Sequence, residues 1–134
     1  MDSKKFIEQS AYIIKRACQF NMKSRKQGIA ELGGDIDADA LKNLCVFEFG
    51  IRLLIDGFPL WQIEKTLSCM IYREPDLYVR RLKTIQKEAV MRINEGAASF
   101  NLLNIIFSFF NDEEKKALRS LLAEKTFKEY FDFY

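Results

Sequence analysis

Cys18, Cys45 and Cys69 are the only thiols in this chain, and no histidine accompanies them. A thiol attacks through its thiolate and ordinarily needs a neighbouring base to form one. Without imidazole, proton transfer at neutral pH loses its best-suited side chain, and a zinc site loses its commonest nitrogen ligand. The cysteines form no Cys-x-x-Cys pair, are odd in number and stand among apolar residues. They read as reduced core thiols in a reducing compartment.

The carboxylates offer no stronger chemistry. Asp35, Asp37 and Asp39 alternate like the start of a calcium loop, but such a loop needs a glycine at its turn and a closing bidentate glutamate. Neither falls in place, Glu48 included, so the aspartates read as helix caps. Gly33-Gly34 lacks the flanking strand and following lysine of a phosphate-cradling loop. A carboxylate-based hydrolase would need a deep polar pocket with convergent acids. The expectation is a protein that is not an enzyme and binds no cofactor or metal.

The basic residues point towards a binding surface. Arg80, Lys83 and Lys87 share one helical stripe, with Arg81 and Arg92 nearby. That stripe suits phosphate oxygens or an acidic partner, or is the solvated face of an amphipathic helix relieved by Glu88 and Asp76. A net charge of +2 without helix-turn-helix spacing makes nucleic acid the lesser reading. At the other extreme, Phe127, Tyr130, Phe131, Phe133 and Tyr134 crowd the last residues. Either this tail folds back over the core or it anchors a partner.

The elements that must position these residues are helices. Among 134 residues, 49% are apolar and twelve are Phe, while two prolines and six glycines leave long uninterrupted segments. Residues 4–32 carry apolar side chains at three- and four-residue spacing, and Gly33-Gly34 is expected to end that helix. Residues 38–56 read as a second helix closed by Gly57, and Pro59 opens a third over 60–72. Residues 76–95, closed by Gly96, form the longest clean helix. Residues 98–110 are apolar nearly all round and are expected at the centre. Asn111 and Glu114 have capping-box spacing for a last helix to about residue 125. The most apolar stretch, 97–110, includes Ser99, Asn101, Asn104 and Ser108, too short and polar to span a bilayer. No signal-peptide core begins the chain. The reading is an all-α, compact bundle of about six helices, a single domain over 1–134, soluble and cytoplasmic.

Two stretches then resemble a known family. Residues 22–37, Met-Lys-Ser-Arg-Lys-Gln-Gly-Ile-Ala-Glu-Leu-Gly-Gly-Asp-Ile-Asp, resemble the start of the cytoplasmic region of the flagellar stator protein MotA. Arg25, Gly28, Leu32 and Asp35 fill the places of that family's arginine, glycine and apolar-acidic stretch. Residues 49–57, Phe-Gly-Ile-Arg-Leu-Leu-Ile-Asp-Gly, followed by Ile63-Glu64 and a helix from Arg81 to Gly96, resemble its next segments. The likeness covers residues 22–96. After Gly96 the family has a proline and glycines opening a membrane helix of its proton channel; this chain has Ala97-Ala-Ser-Phe-Asn. The resemblance implies the cytoplasmic module without its channel: a soluble accessory that binds proteins in or near a bacterial flagellar motor and conducts no ions. In the family a charged face engages the rotor switch protein FliG. Arg25 matches the arginine of that face, while Gly33 stands where its glutamate would be. By itself, Arg25 also reads as an exposed arginine near a helix C-terminus. The candidate protein-binding residues are thus Arg25, Arg80, Lys83 and Lys87. The apolar segment 98–110 and the aromatic tail further suggest a homodimer.

Overall fold

Asp2 starts the first helix, its carboxylate accepting the Lys5 N–H at 2.8 Å. The computed structural model describes residues 1–122. Helix α1 (Ser3–Gln27) buries Phe6, Ala11, Ile14, Ala17, Cys18, Phe20 and Asn21, an inward face of helical period. It ends five residues before the glycine pair. Gly28 takes φ 94° and donates its N–H to the Ser24 carbonyl at 2.8 Å. A side chain at that φ would be strained, so this glycine stops the helix. Gly33 and Gly34 instead lie inside a 3₁₀ helix (Ile29–Asp35) pinned by the buried Leu32.

The helix expected over 38–56 is two. Asp37 caps α2 (Ala38–Lys42), with Oδ1 accepting from Asp39 N at 3.0 Å and Ala40 N at 3.1 Å. Leu44 turns to φ 57°, Cys45 is extended, and α3 (Val46–Ile55) begins afresh. A partner distant in sequence makes this break tenable: Gln86 Oε1 accepts the Phe47 N–H at 2.9 Å, satisfying a first-turn donor of α3. Gly57, at φ 77°, closes the turn after α3 as expected. Pro59 is the N-cap of α4 (Leu60–Tyr72). Asp76 caps α5 (Leu77–Glu95) through Val79 N at 3.1 Å, and Gly96 ends it in the left-handed conformation. Then come α6 (Ser99–Phe107) and α7 (Asp112–Leu122). Asn111 and Glu114 form the reciprocal capping box before α7, at 2.9 and 2.8 Å.

Helices α1 and α5 lie side by side and parallel. Near their starts the Met1 ammonium meets Asp76 at 2.7 Å and the Phe6 and Tyr78 rings are 4.8 Å apart; near their ends Asn21 Nδ2 donates to the Ala97 carbonyl at 2.9 Å. Helix α5 also packs on α3, α4 and α6, while α7 packs on α1. The all-α expectation holds, with seven α-helices and one 3₁₀ helix among the described residues. The centre differs. Helix α6 buries Leu102, Leu103, Ile106 and Phe107 but leaves Phe100 half exposed. The middle belongs to α5, which is long enough to be flanked on several sides. Glycine permits its closest approach: a Cβ on Gly50 of α3 would sit 2.8 Å from Val90 Cγ2.

The thiols divide. Cys18 is buried, but Cys45 and Cys69 are exposed, against the expectation of three core thiols. Cys45 sits in the extended break before α3 and Cys69 on the outward side of α4. Among the described residues no helix is long and apolar enough to cross a membrane. The aromatic tail and the end of the last helix near residue 125 lie outside the described residues.

Candidate functional site

The stripe of α5 is built from residues three and four apart, which a helix stacks on one face. That face is turned towards α4. Lys83 Nζ lies 2.9 Å from Glu74 Oε1, Lys87 Nζ lies 3.6 Å from Glu64 Oε1, and Arg80 Nε donates to the Glu74 carbonyl at 2.8 Å. Arg92 pairs with Glu95 at 3.1 Å. Arg81 points to the opposite flank, donating to Glu114 Oε1 at 2.8 Å and the Phe109 carbonyl at 3.0 Å, its guanidinium 4.3 Å from the Phe6 ring centre. Arg81, Lys83 and Lys87 therefore fasten α5 to its neighbours, while Arg92 pairs within the helix. Asp76 serves the Met1 ammonium and the cap of α5, not the stripe.

Arg25 stands apart at the other end of the α1–α5 pair. It lies in the last turn of α1, exposed, and with Met22, Lys26 and Ser99 it edges a shallow hollow of about 310 Å³. Its side chain has no hydrogen bond or ion pair among the described residues. The structure brings Arg80, Lys83 and Lys87 together but does not bring Arg25 to them.

A second hollow, of about 420 Å³, runs along α1 between Tyr12, Ile13 and Arg16 on one side and Cys45, Phe47 and Gln86 on the other. Glu48 lines it, with both oxygens engaged: Oε1 accepts from Arg16 at 2.6 Å and Oε2 from the Asp37 N–H at 3.0 Å. Arg16 also stacks 4.8 Å from the Phe20 ring centre. A carboxylate so held is poorly placed to move protons. Burial, with Glu48 and Asp37 nearby, pushes the Cys45 thiol pKa up, the reverse of what a nucleophile needs. Among the described residues no group of three acids or thiols is placed to hold a metal ion.

Sequence reasoning passed over the outer face of α4. Its inward residues, Ile63 and Leu67, are buried against α3 and α5. Opposite them stand Trp61, Lys65, Ser68, Cys69 and Tyr72, with Trp61 67% and Tyr72 86% exposed. The spacing was legible, because Trp61, Lys65, Ser68 and Tyr72 recur every three or four positions. Such a face draws notice only once it is known that no helix among the described residues covers it.

No protein-family model, no curated protein and no solved structure matches the chain.

Proposed function

We propose that this chain is a non-enzymatic protein-interaction module, a soluble cytoplasmic accessory of the flagellar-stator type that works in or near a bacterial motor. One observation carries the reading. Arg25, the residue that the resemblance to the MotA family assigns to a rotor-facing surface, is exposed and has no internal partner among the described residues. A solvent-facing guanidinium presents a rigid fork of donors that suits a partner's carboxylate. The nucleic-acid alternative is weaker, because Lys83 and Lys87 would have to leave Glu74 and Glu64 to reach phosphates. Self-association through exposed apolar surface is compatible with the module and is read directly by light scattering at micromolar concentration.

The test is Arg25→Glu, with a thermal melt beside affinity capture from a motile bacterial lysate. The expected result is an unchanged melt and loss of a captured rotor or stator component. Capture unchanged by the substitution removes Arg25 from the surface. Recovery of only metabolic enzymes or nucleic acid by the unaltered chain overturns the reading.

A further inference from the structure

We infer that the outer face of α4 is a docking surface for an acidic amphipathic helix of a partner protein. This does not depend on the role given to Arg25, which lies on a different element.

Trp61 and Tyr72 are separated by eleven residues on one side of α4, roughly 16 Å along the axis at 1.5 Å per residue. Both are largely exposed, at 67% and 86%. Tryptophan, tyrosine and arginine are the side chains that most often dominate binding energies, since they bury large area at small entropic cost. C-terminal to Trp61, Lys65, Ser68, Cys69, Tyr72 and Arg73 surround a shallow depression of about 380 Å³. Two exposed rings on one helix face, one of them lining a hollow, suit a second helix lying across the first.

Charge selects the partner. The Lys65 and Arg73 side chains are exposed and have no hydrogen bond or ion pair among the described residues. The two nearest carboxylates along the chain pair with α5 instead: Glu74 meets Lys83 at 2.9 Å, and Glu64, its side chain still 60% exposed, reaches Lys87 at 3.6 Å. Neutralising their neighbours' charge internally, these pairs leave the depression with two cations and no carboxylate on its lining. An approaching acidic segment is attracted and a basic one repelled. Phosphate chains would meet the same cations, but the apolar anchors at both ends fit a protein surface better than a nucleic-acid backbone.

The chain contains one tryptophan, and it is Trp61 on this face, so its emission reports occupancy. The full chain is titrated with three probes: a synthetic amphipathic helical peptide with a leucine stripe flanked by glutamates, the same peptide with lysines for glutamates, and a single-stranded oligonucleotide. Expected is a blue shift of Trp61 emission with the acidic peptide alone. The Lys65→Glu/Arg73→Glu variant should bind it about tenfold or more weakly while melting like the parent. Tyr72→Ala should weaken binding without changing the preference for acid. No shift with the acidic peptide, or equal shifts with both peptides, overturns the proposal. So does a larger response to the oligonucleotide. Emission already blue in the free chain and reddening on dilution would assign the face to a second copy instead.

Discussion

Glu48 Oε1 lies 2.6 Å from Arg16 Nη2, joining α3 to α1 with only 5% of the glutamate and 18% of the arginine side chain exposed. The same arginine donates to the Asp35 carbonyl at 3.3 Å, and the same glutamate accepts the Asp37 N–H at 3.0 Å. One ion pair thus ties together α1, the end of the 3₁₀ helix, the cap of α2 and the first turn of α3.

Removing one partner should cost more than the pair is worth. Glu48→Ala leaves the guanidinium almost dry and uncompensated, a loss of about 3 kcal/mol. Arg16 Nε is already buried with no partner, so the pair is incompletely satisfied. Arg16→Met combined with Glu48→Leu is therefore expected to recover most of the loss. Urea unfolding of the parent and the two variants decides it: a midpoint falling for Glu48→Ala at constant slope, and returning towards the parent in the double variant.

Gly50→Ala pits helix propensity against packing. Alanine gains up to about 1 kcal/mol within a helix. Its Cβ, however, would stand 2.8 Å from Val90 Cγ2, 3.0 Å from Val90 Cγ1 and 3.1 Å from Leu67 Cδ1. Overpacking of this kind costs about 1–3 kcal/mol, so the variant should be net destabilised, and adding Val90→Ala should relieve it. Thermal melts of the single and double variants measure both effects.

The thiols should separate by reactivity. Burial pushes the Cys18 pKa up to about 12, and the side chain is inaccessible. Cys45 and Cys69 are exposed. A thiol reagent at pH 8 should therefore modify two cysteines in the native chain and the third only in denaturant. Burial pushes the Cys45 pKa up, with Glu48 and Asp37 adding to it, so Glu48→Gln should quicken its modification. Native modification of all three would contradict the packing of Cys18 in α1.

Acid should loosen the α5 attachments first. For Glu114 burial works to raise the pKa, but the Arg81 hydrogen bond and charge and the Asn111 N–H outweigh it, holding the carboxyl below its usual 4.5. Glu74 is held low by the Lys83 hydrogen bond and the Asp76 N–H. A folded-state pKa below the unfolded one means stability that is present above the unfolded value and lost as pH falls through the folded one. The unfolding free energy should hence decline as pH drops below about 4.5, while above pH 6 the contribution of these groups is fully present and no longer varies with pH. Glu114→Gln should be less stable at neutral pH and show a shallower acid decline, read from urea midpoints across that range.

The features legible in the sequence were those completed within a few residues. Asp37 capping Asp39 N and Ala40 N, the Asn111–Glu114 box, and the positive φ of Gly57 and Gly96 each involve groups at most three positions apart, so residue type and spacing carry the geometry. The same locality made the amphipathic helices, the all-α class and the exposed end of α1 at Arg25 readable. What tertiary structure decided rests on partners far along the chain. Gln86 receives the Phe47 N–H from a helix thirty-nine positions away, and that contact makes the break at Leu44 affordable. Lys83 and Lys87 were readable as a stripe, but not as a stripe turned onto Glu74 and Glu64. Which face of α4 stays open, and with it Cys69, Trp61 and Tyr72, was likewise beyond periodicity. A helix's pattern says that it has an apolar side; only the packing of the other helices says which remaining side chains are left to water.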